Sequence, residues 1–317
     1  MKITQMNLNT LSHIVVDIKS ITVGEYIFFD IYIKKDNNYF IIIEAGTLIT
    51  ESLFQKLQKQ SKLYIAKEDV NRKQLNCQNL HLFVSKIHDD IPKCLEFIYK
   101  MNDKVFADYL NDAENKIDLK CVGHLIESLI YLISLKKEYL REMIPHLINK
   151  HDLSAHSLHV ALYCIKLGLA YKLDSKQLLQ LGIAAMLHDL GLKKIDHTIL
   201  HKESALDIKE LELIHKHTLY SVDIVKHNGI HDPYIIDAIL HHHENYDQSG
   251  YPNRLGEKEI SEFASIIAIA DVFDALTSTR PQRQAFRSFD ALKMMMQDQE
   301  MSERFNHEFL QLFLKSI

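Results

Sequence analysis

The stretch His241–Pro252, HHHENYDQSGYP, sets three consecutive imidazoles and an acid before a turn built from Gly250, Tyr251 and Pro252. Neutral imidazole is the commonest protein ligand for transition metals. Gly250 gives the backbone a permissive point, and Tyr251, because it precedes a proline, a restricted one. The stretch reads as half of a metal site with a lip above it. Taken alone, it is also compatible with a polar helix end carrying solvated histidines. Just upstream, Asp232 and Pro233 open a helix whose Ile235, Ile236, Ile239 and Leu240 lead into the triplet.

Helical patterning continues on both sides. His151–Lys172 places Leu158, Ala161, Leu162, Ile165 and Leu169 on a core face and Asp152, His156, His159 and Tyr163 on another. Asp174 or Ser175 starts a helix that runs into Leu187-His188-Asp189-Leu190-Gly191, with Gly191 as its expected C-terminal stop. Asp207 caps a helix through Leu211, Ile214 and His217. Ser261 begins a very apolar one, Phe263–Leu276, interrupted by Asp271 and Asp274 at i,i+3 on a shared face. Carboxylates in so apolar a helix are costly to bury unpaired, so something cationic should face them.

The composition fits this pattern. Only nine Gly and five Pro punctuate 317 residues, which favours long helices over a many-turned β fold and leaves room for two domains. A formal charge of -5 argues against a generally basic nucleic-acid binder, so duplex nucleic acid is not an expected partner. The first residues show no secretory signal, and apolar runs such as Ser128–Leu135 are too short to span a bilayer. Cys77, Cys94, Cys121 and Cys164 lack metal-type or redox-type spacing and read as small buried residues in a reducing compartment. A cytoplasmic protein without membrane insertion is expected. Of 19 histidines, 13 fall between His151 and His243, which makes the enrichment regional and suggests a site.

Residues 1–75 read as a small α/β domain. Tyr26–Lys34 alternates, with Ile27, Phe29, Ile31 and Ile33 on one face; Asp36-Asn37-Asn38 supplies a turn before Phe40–Ile43, completing a hairpin. Thr50 caps a helix carrying Leu53, Phe54 and Leu57, and Lys62–Ala66 returns as a strand. No chemical motif occurs there, so a regulatory or dimerising module and a plain structural appendage both fit. Residues 76–124 read as a helical linker and 125–317 as the domain that carries the chemistry. The helical stretch Ile91–Lys137 offers a homodimer interface.

Collected, the oriented groups are Asp152, His156, His188, Asp189, His217, His242, His243 and Asp271. They are too many for one tetrahedral zinc and suit two or three six-coordinate metals such as iron or manganese. A carboxylate such as Asp189 can bridge two ions. Metals roughly 3.5–4 Å apart would activate a bridging water as hydroxide and stabilise both oxygens of a phosphoryl transfer, which makes phosphoester hydrolysis the expected reaction.

In order and approximate spacing, His156, His188-Asp189, His217, His242-His243 and Asp271 resemble the HD superfamily of metal-dependent phosphohydrolases, and Gly250-Tyr251-Pro252 narrows the resemblance to its HD-GYP branch. The resemblance covers roughly Leu125–Ile317. It implies a mainly α protein, with an all-helical catalytic domain preceded by the small α/β domain, that hydrolyses cyclic di-GMP to pGpG and often GMP. It implies metal ligation by all eight collected residues, Asp152 included. Asp274 resembles the family's second acid, which assists proton transfer, and Arg280 and Arg283 resemble residues that hold substrate phosphate.

The chain departs from the family pattern at four places. Leu192 stands at a lysine that would contact phosphate, and Lys193 and Lys194 are rotated by about 100° per residue if the helix continues. Asp152 stands where members with three metals usually carry glutamate. Gln248 replaces a glycine of the lip, and Gln282 a tyrosine beside the arginines. Leu192 and Gln248 leave room for a second reading, a degenerate module that binds metal or nucleotide and signals through protein partners.

Overall fold

The computed structural model describes residues 13–67, 69, 77–135, 152–200, 202, 204–279 and 284–317. The chain divides into two compact units, Met1–Phe97 and Ile98–Ile317.

The first unit is built on a four-stranded antiparallel sheet in the order β1-β4-β2-β3, from β1 (His13–Val16), β2 (Ile31–Lys35), β3 (Asn38–Ile43) and β4 (Leu63–Ala66). The β2–β3 hairpin closes through Asp36 and Asn37, both at positive φ (47° and 65°), the two-residue turn whose twist suits a hairpin. Ile27, Phe29 and Ile31 are all buried, as their alternation predicts, but the strand begins only at Ile31. Ahead of it, Asp30 Oδ1 accepts the Ala45 N–H (2.7 Å) and Ile27 exchanges backbone bonds with Gly46 and Thr47, so local loop bonds take the place of ladder bonds. Thr50 caps α1 (Glu51–Gln58), accepting the Leu53 N–H at 3.2 Å, and Leu57 joins the sheet's apolar core. Helix α2 spans Cys77–Lys86, and the division between the units falls inside α3 (Ile91–Asn111).

The second unit is all-helical among its described residues. Its centre is α5 (Leu153–Ala170), which packs against α4 (Leu119–Leu135) and α6 (Ser175–Leu187). Its 18 residues are apolar enough to cross a bilayer, yet 78% of that span is buried inside the protein, which marks it as a core helix. A 3-10 turn, Leu190–Lys194, follows α6; then come α7 (His197–Leu200), α8 (Ile208–His215), α9 (His217–His227) and α10 (Pro233–His241). Helix α11 (Glu262–Thr277) packs on α5 and α10, and α12 (Ser288–Gln297), α13 (Gln299–Ser302) and α14 (His307–Ser316) complete the chain. Asp174, Asp207, Asp232 and Ser261 all act as N-caps, the first two in reciprocal capping boxes with Gln177 and Glu210.

Two helix ends differ from expectation. Helix α6 stops at Leu187, and Gly191, expected as its stop, lies buried inside the 3-10 turn. Its requirement is close approach: a Cβ there would sit 2.1 Å from the His217 carbonyl oxygen and 2.7 Å from the Ser221 nitrogen. The helix expected to run from Asp207 through His217 breaks at Lys216, so His217 opens a new helix, α9.

Candidate metal centre

Five elements converge on one point. His188 and Asp189 leave the end of α6, His217 stands at the start of α9, His242 and His243 at the end of α10, His156 one turn into α5, and Asp271 in the middle of α11. Helix ends suit adjacent residue pairs, because departing from helical geometry lets both side chains reach one place. Asp189 has φ -105° and ψ 9°, outside the helix that carries His188.

At this point ligand-type atoms form two of the groups found among the described residues: Asp189, His217, His242 and His243, and His156, His188 and Asp271, each set with its atoms within 4.8 Å of one another. Asp189 touches both. Its Oδ1 lies 3.1 Å from His217 Nε2 and 3.7 Å from His242 Nε2, and its Oδ2 lies 3.5 Å from His188 Nε2 and 3.7 Å from His156 Nε2. Asp271 Oδ1 stands 3.3 Å from His156 Nε2 and its Oδ2 3.9 Å from His243 Nδ1.

The rings are aimed by their outer nitrogens. Nδ1 of His188, His217 and His242 lies 2.6, 2.7 and 2.8 Å from the carbonyl oxygens of Ala185, Ile214 and Ile239. A carbonyl only accepts, so Nδ1 carries hydrogen and Nε2 of a neutral ring turns a lone pair inward. His217 Nε2 and His242 Nε2 then face each other at 3.4 Å, while His188 Nε2 and Asp189 Oδ1 are buried without a hydrogen-bond partner among the described residues. Converging lone pairs and orphaned buried acceptors require a cation. Burial pushes the His188 imidazole down to about 4, and burial together with His242 holds His243 well below its usual range, so both are neutral, as ligands must be. Burial opposes charge on His217 too, but Asp189 outweighs it and raises that ring, a further sign that positive charge is favoured at this point. The donor set of imidazoles and carboxylates fits divalent transition metals.

Asp274 faces away from the convergence point. Its Oδ2 accepts from His156 Nδ1 (2.8 Å) and its Oδ1 from His159 Nδ1 (2.9 Å), and His159 Nε2 in turn meets the Tyr99 hydroxyl at 2.6 Å. Burial works against ionisation of Asp274, yet the bonds from His156 and His159 hold its carboxyl far below the usual range. The partners that face Asp274 are therefore the Nδ1–H groups of these two imidazoles, and Asp274 sits where it orients His156. Asp152 stands apart from both groups: it is exposed, and its Oδ1 caps α5 by accepting the Ala155 N–H at 2.8 Å. Arg280 and Arg283, and Gln282 between them, lie outside the described residues.

The lip closes over His243. Gly250 packs so tightly that a Cβ would lie 2.4–2.5 Å from backbone atoms of Asn245, Glu244 and His243. Tyr251 stacks on His215 with centroids 3.7 Å apart and lies 4.8 Å from the His243 ring; Pro252 follows it, half-buried. Glu244, given no role by sequence reasoning, is 2% exposed and staples the lip: its two oxygens accept the N–H groups of Asn253 (2.6 Å) and Leu255 (2.9 Å). A lone acid directly after the ligand pair was the available signal. His241 bonds Asp237 and Asn253 rather than the cluster. Lys193 is turned away, donating to the Tyr109 and Asp112 carbonyls at 2.7 Å, and Lys194 lies over Tyr220, so neither replaces a lysine at Leu192.

Gln248 occupies the left-handed region at φ 64°. A Cβ there costs about 1–2 kcal/mol, part of which glycine returns through unfolded-state entropy. Gln248→Gly is therefore expected to raise stability by roughly 0.5–1 kcal/mol, read as a higher urea midpoint; an unchanged or lower midpoint would show that the lip carries no such strain.

Residues 129–307 match the family model for the HD domain. The chain is 34% identical over 184 residues to 3'3'-cGAMP-specific phosphodiesterase 2 of Vibrio cholerae, covering 55% of this chain and 35% of that protein. It is 30% identical over 162 residues to cyclic di-GMP phosphodiesterase PA4108 of Pseudomonas aeruginosa, covering 51% and 38%. It thus spans a little over a third of the length of these relatives. In fold it is similar to Bd1817, an HDG"Y"P protein of Bdellovibrio bacteriovorus, with a TM-score of 0.61 at 18% identity over 96% of this chain and 99% of that one.

Proposed function

Starting from the fact that this chain belongs to the HD domain family, we propose that it is an HD-GYP-type metal-dependent phosphodiesterase of cyclic dinucleotides, with cyclic di-GMP as substrate and pGpG or GMP as product. The observation that carries the reading is the Asp189 carboxylate, with one oxygen toward each of two imidazole-rich groups whose rings are already aimed. Iron or manganese suits those donors. When bound, such metals supply Lewis-acid stabilisation and a nucleophilic oxygen at neutral pH. The chain's own residues do the rest. Backbone carbonyls fix the ring tautomers, Asp274 holds His156, and the Gly250–Pro252 lip narrows access above His243.

Protein loaded with iron or manganese under reducing conditions should release pGpG or GMP from cyclic di-GMP, followed by chromatography. 3'3'-cGAMP belongs in the same assay, because the relatives divide between these two substrates. Metal analysis should count two ions per chain, since Asp152 stands apart from both groups. Absence of product from either nucleotide at full metal loading would sink the proposal. It would favour the second reading, a binding module without turnover, which the diversion of Lys193 and Lys194 supports. Turnover abolished by His188→Ala would remove that second reading.

A further inference from the structure

Beside the metal groups lies a cavity of about 370 Å³ whose floor includes His242, His243 and Asp271, and whose C-terminal wall carries Met301, Arg304 and Phe305. A phosphodiester engaged by metals at that floor would extend its remaining groups into this space. Among the described residues lining it, Arg304 is the sole lysine or arginine.

Its backbone is fixed. The Arg304 carbonyl accepts the Tyr246 N–H (3.1 Å), its own N–H reaches the Met301 carbonyl (3.2 Å), and Asn306 Nδ2 donates to the Tyr246 hydroxyl (2.8 Å). These bonds tie the C-terminal wall to the segment that runs from the histidine pair into the lip. The following Phe305 is buried at 4% exposure, which anchors the same segment in the core. Among the described residues the guanidinium itself has neither an ion pair nor a hydrogen bond. Asp247 feels its charge, but that carboxylate's Oδ1 accepts both the N–H and the hydroxyl of Ser249. A guanidinium without a partner among the described residues, on the wall of a cavity lined by metal ligands, is placed for an anion, and its planar fork matches phosphate oxygens.

Resting on the function proposed above, we propose that Arg304 binds the second phosphate of the cyclic dinucleotide, the diester not being cleaved. The substrate carries two phosphates, and metals held by His242, His243 and Asp271 would take one. Arg304 then acts on affinity for the dinucleotide rather than on the bond-breaking step.

The test compares metal-loaded wild type, Arg304→Ala and Arg304→Lys on cyclic di-GMP and on bis(4-nitrophenyl) phosphate, a diester with a single phosphate. Loss of one charge-assisted contact should raise KM for cyclic di-GMP about tenfold with kcat little changed, and Arg304→Lys should recover part of it. The fall in kcat/KM should be about tenfold greater for the dinucleotide than for the small diester. Equal losses on both substrates, or none on either, would overturn the proposal. If wild type cleaves the small diester but not cyclic di-GMP, the function proposed above fails. Calorimetric binding of cyclic di-GMP then decides the present inference: about tenfold weaker binding by Arg304→Ala sustains it, and equal or absent binding overturns it.

Discussion

Asp189→Asn is expected to lower metal content at both groups and to cut turnover by about a thousandfold, the equivalent of about 4 kcal/mol of metal-supplied stabilisation. The size of the effect follows from geometry. Each carboxylate oxygen of Asp189 faces a different pair of imidazole nitrogens, so one neutral substitution weakens two groups together. Asparagine keeps the volume but offers one acceptor and one donor in place of two anionic oxygens. Its amide can donate to an inward lone pair, such as that of His188 Nε2, which lacks a partner among the described residues. The metal-free variant should therefore melt no lower than the metal-free wild type. The difference should appear on adding metal: wild type gains stability by mass action, about 2.7 kcal/mol at a hundredfold excess over Kd, and the variant gains little. Metal analysis, a melting curve with and without metal, and turnover form one set of measurements. Full metal content with wild-type turnover in Asp189→Asn would show that neither group depends on this carboxylate.

Much of this centre is legible in the sequence because ligand chemistry restricts residue type and helix periodicity restricts spacing. His156, His188, Asp189, His217, His242, His243 and Asp271 all arrive at the convergence point, and the caps at Asp174, Asp207, Asp232 and Ser261 form where side-chain chemistry places them. What periodicity leaves open is which of two residues on one helix face meets which neighbour. Asp271 and Asp274 are one turn apart, and only the crossing of α11 over α5 sets one against the cluster and the other behind His156. The same limit applies to Arg304, which reaches the cavity through contacts some sixty residues distant in sequence, such as that with Tyr246. Gly191 differs from its expected place as a helix stop for a related reason. A glycine after a helical run suggests a C-terminal stop, while the carbonyl that excludes a Cβ belongs to another helix.

Gly191→Ala is therefore the second large effect, and Gly123→Ala is its control. At Gly191 the added carbon would stand 2.1 Å from the His217 carbonyl oxygen, 2.7 Å from the Ser221 nitrogen and 2.8 Å from Tyr220 Cβ. Two of those atoms are backbone, so no rotamer change relieves the clash, and the 3-10 turn or the start of α9 must move. The Gly191 N–H bond to Ser221 Oγ (2.8 Å), which joins the same two elements, would be lost as they part. Overpacking of this kind costs about 3 kcal/mol, which for a unit of this size lowers the melting temperature by roughly 6–12 °C. Because His217 opens α9, the same displacement should weaken metal binding at the group it shares with Asp189. At Gly123, inside α4, an added Cβ would meet no atom within 4 Å. There alanine brings only its helix preference, so Gly123→Ala should raise stability by about 0.5–1 kcal/mol. If Gly191→Ala melted within 2 °C of wild type and bound metal as tightly, close approach of α9 to the 3-10 turn would not be what holds His217 in the centre.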